Sequence, residues 1–132
     1  METTDLKALL SERREMLSTG EIDPAACTQI AEAYAREKLD MDSTPGVVLG
    51  YDGLINGRRV CLRTLDRSTT PASHAQFSIR KGLLAKADDL LVVVLDDCVT
   101  FHIGPVPIDQ ITYTVTPLER RYALARIQEA AA

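Results

Sequence analysis

Asn56-Gly57 restricts the fold of this chain more than any other feature, because it separates two extended runs, Gly50–Ile55 and Arg58–Leu65. A two-residue turn of this composition takes positive φ at both central positions and closes a tight antiparallel hairpin. The register follows by counting back from the turn: Ile55 faces Arg58, Leu54 faces Arg59, Gly53 faces Val60 and Asp52 faces Cys61. Alternation then assigns Tyr51, Ile55, Val60 and Leu62 to one face. Gly50, Asp52, Leu54, Arg59, Cys61, Arg63 and Leu65 go to the other.

Helical periodicity precedes the hairpin. Leu6, Leu9, Leu10, Met16 and Leu17 repeat at helical spacing, with Arg13 interrupting one turn and Gly20 stopping the run. Asp23-Pro24 pairs an N-cap side chain with a first-turn proline, which predicts a second helix to about Leu39. Its buried stripe is expected to hold Cys27, Ala31, Tyr34, Ala35 and Leu39, with Glu32 and Glu37 at the margins. The segment Met41–Gly46 reads as a linker into the sheet.

After the hairpin, residues 66–75 are polar and turn-rich and read as a loop. A short helical or irregular stretch carrying Arg80, Lys81 and Lys86 follows. Leu90–Leu95 is a continuous branched apolar run, as an interior strand covered on both faces requires. Asp96-Asp97 ends it, Val99–Ile103 returns as a neighbour, Pro105 and Pro107 interrupt that neighbour, and Ile111–Val115 suits a last edge strand. Thr116-Pro117-Leu118-Glu119 has the form of a capping box opening a C-terminal helix to about Glu129. The expected fold class is α/β, a mixed sheet flanked by two N-terminal helices and one C-terminal helix. All 132 residues form one domain in this reading: an N-terminal helix over 1–20, a core over about 23–116 and a C-terminal helix over 117–132.

Composition narrows the partners. Fifteen Lys and Arg against nineteen Asp and Glu give a net charge of −4, which excludes binding to nucleic acid by bulk charge and leaves room for a local basic patch. Cys27, Cys61 and Cys98 are odd in number and widely spaced, so neither a disulfide framework nor a zinc ribbon is suggested and a cytoplasmic setting is expected. The acidic start METTDLKALL lacks the pattern of a signal peptide, and no apolar run would span a bilayer. His74 and His102 lack ligand spacing, and no Gly-rich loop leads from a strand into a helix. The residues leave the oligomeric state open.

The order of GYDGLINGRRVCLRT after the helix IAEAYAREKL, and before Gln76 and the strand LLVVVLDD, resembles the PD-(D/E)XK nuclease superfamily. It looks most like small prokaryotic members of restriction-endonuclease-like fold. The resemblance implies a phosphodiesterase-type site in which Asp52 matches the metal-binding aspartate and Glu32 the helix-borne acid. Cys61 stands at the acidic position of the E-x-K element, Arg63 at its lysine, and Gln76 matches a following glutamine. Asp52 and Glu32 would be the metal ligands.

A thiol is a poor ligand for a hard cation, and an arginine cannot shuttle protons as a lysine can. The expected activity is therefore that of a degenerate, non-catalytic or feebly catalytic relative acting through nucleic-acid or partner binding, with no cofactor required. The resemblance also points to defence or counter-defence systems. The phosphate-binding candidates are Arg58, Arg59, Arg63, Arg67, Arg80 and Lys81. Two alternatives stand beside this reading. One is an active DNA phosphodiesterase using Mg²⁺ or Mn²⁺ on Asp52, Glu32 and a backbone carbonyl; the other is an inhibitor or accessory subunit that contacts protein alone.

Overall fold

The computed structural model describes residues 6–20, 24–43, 50–96 and 99–132. Three α-helices, α1 (Leu6–Thr19), α2 (Pro24–Leu39) and α3 (Leu124–Ala131), flank two sheets. The strands are β1 (Asp42–Ser43), β2 (Gly53–Ile55), β3 (Arg58–Asp66), β4 (Gln76–Arg80), β5 (Asp89–Asp96), β6 (Val99–Pro107), β7 (Thr114–Val115) and β8 (Glu119–Ala123). The five-stranded sheet runs β1-β2-β3-β5-β6, and the three-stranded sheet runs β4-β8-β7. β3 and β5 are parallel and the other pairings antiparallel, so the fold is α/β with a mixed sheet. Among the described residues no helix is long and apolar enough to cross a membrane.

The hairpin forms where the turn chemistry demands. Asn56 and Gly57 have φ of 53° and 77°, and the ladder pairs Ile55 with Arg58, Leu54 with Arg59 and Gly53 with Val60. Beyond Gly53 the chain leaves the ladder. The Asp52 N–H donates to the Val60 carbonyl at 2.8 Å, but its side chain, not its backbone, accepts the Leu62 N–H. The alternation is lost there, and Tyr51 packs with the core opposite the one expected for it.

β5 is the centre of the molecule, with Leu90 through Leu95 buried on both faces. Ile55, Val60, Leu62, Leu91, Val93 and Leu95 meet α1 and α2 on one side. The α2 stripe is the expected one, with Ile30 and Ala33 added. On the other side Cys61, Leu65, Val92 and Val94 meet Phe77 and Ile79 of β4, Tyr122 of β8 and Leu124 and Ile127. The buried area on each face supplies the main driving force for closing the layers.

Four expectations change. Gln76–Arg80 is a strand rather than irregular chain, because β8 pairs with it from Gln76↔Ala123 to Arg80↔Glu119; the 3₁₀ turn follows at Lys81–Lys86. The C-terminal helix begins at Leu124, not at Pro117. The Thr116 hydroxyl does accept the Glu119 N–H at 3.2 Å, but this closes a turn into β8, since tertiary pairing overrides the local helix signal. β6 continues through Pro105 and Pro107 because it is the sheet's edge strand, and Gly104-Pro105 is absorbed where the register shifts between Leu90 and Val92. Asp42–Ser43, read as linker, pairs with Leu54 and Gly53 as β1. The N-cap Asp23, residues 44–46 of the linker, Asp97 and Cys98 lie outside the described residues.

Candidate binding cleft at the open edge of a strand

β2 covers β3 only from Arg58 to Val60, so from Leu62 onward the outer edge of β3 has no neighbouring strand among the described residues. Strand edges carry unpaired N–H and C=O groups that other parts of a protein must manage. Here α2 flanks the edge on one side, and β4 with the 3₁₀ turn Ala72–His74 flanks it on the other. The space between them is a cleft of about 890 Å³. Glu32, Asp52, Arg63 and Gln76 all line it, as do Thr28, Thr64, Asp66, Thr69, Thr70 and His74.

Each polar group in the cleft has a distinct task. Asp52 stands where β2 ends, and its Oδ2 accepts the Leu62 N–H at 2.7 Å, replacing the carbonyl a longer strand would provide. Arg63 Nη1 donates to the Leu62 carbonyl at 3.0 Å and Nη2 to the Ser78 carbonyl at 3.3 Å. Its guanidinium therefore ties the open edges of β3 and β4 together, with no carboxylate paired to it among the described residues. Among the described residues no ion pair joins Asp52 to Arg63, and each side chain is engaged by backbone. Glu32 projects from α2 with Arg36 Nη1 3.9 Å away, and Gln76 is exposed at the start of β4.

At the base of the cleft, Arg13 of α1 reaches Asp66 at the end of β3 with Nη2–Oδ1 of 2.9 Å. The Cys27 thiol lies within hydrogen-bonding range of both. Asp66 also accepts from the Ser68 N–H and hydroxyl. Burial alone would raise the Asp66 carboxyl, but the Arg13 and Ser68 hydrogen bonds outweigh it and hold it at about 2. The sequence marked Arg13 only as an interruption of the helical stripe. A charged residue at a core position of an amphipathic helix is the signal that a buried partner exists.

Cys61 is not in the cleft. It is only 3% exposed and packs with Leu65 and Val92 beneath the three-stranded sheet. Burial pushes its thiol up, with Arg63 partly opposing. A carboxylate introduced there would enter the core and not complete a ligand set. We expect native protein to leave Cys61 unmodified by a thiol reagent near pH 8, with labelling appearing only in denaturant; peptide mapping of the adduct checks this.

The expected basic face is divided. Arg58 holds Asp89 through two hydrogen bonds of 2.9 and 2.7 Å, Arg59 holds Asp88 at 3.1 Å, and Arg67 holds Asp96 at 3.1 Å. The hydrogen bonds from the Arg59 side chain and backbone draw Asp88 down to about 2. These arginines anchor β5 to the hairpin and the loop, and their charge is matched locally. Arg80 and Lys81 lie at the far end of β4, away from the cleft. Arg63 is thus the candidate that brings unmatched positive charge into it.

Among the described residues no three His, Cys, Asp or Glu side chains gather as a metal-ligand group. Asp52 and Glu32 share the cleft but lack a third acidic neighbour, since Cys61 faces the core and Asp66 is bound by Arg13. No family model matches this chain, and no curated protein matches it.

Proposed function

We propose that this chain is a catalytically degenerate relative of PD-(D/E)XK nucleases whose cleft binds a nucleic-acid backbone without cutting it. The observation that carries this reading is Arg63. It is held at the cleft by two backbone carbonyls and has no carboxylate partner among the described residues, whereas Arg58, Arg59 and Arg67 are each neutralised by an aspartate. A guanidinium has five N–H donors, and the Leu62 and Ser78 carbonyls and the Cys61 thiol beside it do not use all of them, so donors remain for phosphate oxygens. The hydroxyls of Thr28, Thr64, Thr69 and Thr70 and the Gln76 amide supply neutral donors around it.

Catalysis is disfavoured by the same geometry. Hydrolysis of a phosphodiester through metal-activated water needs a firmly held ion, and Asp52 with Glu32 alone does not supply that. Fluorescence anisotropy with labelled duplex DNA tests the proposal. Affinity should fall as salt rises from about 50 to 200 mM, with a log–log slope of about −1 to −3 for a small number of phosphate contacts. The duplex should remain intact in Mg²⁺ or Mn²⁺. Binding that ignores salt, or cleavage that disappears in Asp52→Ala, would overturn it.

A further inference from the structure

At the end of β4 opposite the cleft, Arg80, Gly82 and Leu83 with Thr116 to Glu119 and Arg121 line a groove of about 870 Å³ that shares no lining residue with the cleft. We propose that this groove docks an acidic segment of a partner protein that also carries leucine or phenylalanine. Leu83, Pro117 and Leu118 supply its apolar lining, and Arg80 and Arg121 its cations. Four large apolar side chains are exposed among the described residues, and three of them, Tyr113, Val115 and Leu118, fall within one stretch. Leu118 is 80% exposed.

That leucine is displayed on a fixed backbone. The Thr116 N–H and hydroxyl donate to the Glu119 carbonyl at 2.9 and 3.1 Å, and the Lys81 N–H donates to the Leu118 carbonyl at 3.0 Å. The turn is therefore ordered before any partner arrives, which removes one of the usual costs of association.

Charge selects the partner. Among the described residues Arg80 and Lys81 have no carboxylate partner, and Arg121 shares Glu119 at 3.1 Å. Of the residues that line the groove, Arg80 and Arg121 against Glu119 leave one positive charge in excess on a chain of net charge −4, so an acidic ligand is drawn to this place. A polynucleotide would satisfy the cations but offer nothing to the apolar lining. An acidic segment with an apolar side chain satisfies both.

The test is a displayed library of random short peptides selected on the full chain, followed by anisotropy of the enriched peptides. Enriched sequences should place Asp or Glu beside Leu or Phe, and Leu118→Asp or Arg80→Glu should each weaken them at least about tenfold. Both positions are exposed, so circular dichroism of the variants should match the parent. The proposal fails if no acidic-apolar peptide is enriched, or if the two variants bind such peptides unchanged. It also fails if these variants lose duplex DNA binding instead, and that result would leave the Arg63 cleft to be judged by its own variants.

Discussion

Arg13→Ala is expected to lower the unfolding free energy by about 3–5 kcal/mol, the range for breaking a buried ion pair. Arg13 is 5% exposed, and the Asp66 side chain is 11% exposed. Without the guanidinium, the Asp66 carboxylate keeps the Ser68 bonds but loses the cation that compensates its desolvation. Chemical denaturation measures the loss as a lower midpoint at similar slope. Adding Asp66→Leu to Arg13→Met should recover most of it, because the buried charge is then gone as well. If Arg13→Ala costs less than about 1 kcal/mol, the pair behaves as a surface bridge and the account of α1 docking is wrong.

The same pair gives a pH signature. The Asp66 carboxyl is depressed in the folded chain to about 2. Its contribution is therefore complete above the unfolded carboxylate value, about 4, and is lost as pH falls from about 4 toward 2. Asp88 is also held at about 2 and titrates in the same window. The difference between parent and Arg13→Ala isolates Asp66: the gap between their stabilities should narrow across that window.

Arg63→Ala should weaken duplex DNA binding at least about tenfold and make the salt slope shallower by about 1, as removal of one phosphate contact requires. Its stability cost should be small, about 1 kcal/mol, because the Leu62 and Ser78 carbonyls it leaves lie beside an open cleft and can bind water. Arg63→Lys keeps the charge but not the planar fork, so affinity should fall between the two. Anisotropy at matched salt, with denaturation of each variant, separates a binding loss from a folding defect. Parent-like affinity in Arg63→Ala would remove the cleft's anchor.

Much of the fold is legible in particular residues. Asn56-Gly57 specifies the hairpin and its ladder, the apolar run of β5 marks an interior strand, and the apolar positions of α2 mark the face that meets the sheet. The small second sheet is legible only in part: Gln76–Arg80 alternates polar with apolar residues as a half-buried strand does, but nothing local tells that Glu119–Ala123 pairs with it. Thr116 through Glu119 carries a helix-start signal that the pairing of β8 overrides. The resemblance brought Glu32, Asp52, Arg63 and Gln76 together on paper, and they do line one cleft. It could not tell that Cys61 faces the core, because a motif records spacing and not which layer covers each face.

What the amino-acid sequence determined by itself is what acts within a few residues: turn conformation, strand register and the periodicity of buried positions. Which charges remain available was decided only by tertiary structure. Arg59 and Arg67 meet aspartates 29 residues away, Arg58 one 31 residues away and Arg13 one 53 residues away, whereas Arg63 meets two carbonyls. Charge in a sequence is additive, but its availability depends on the partner that packing brings within hydrogen-bond distance.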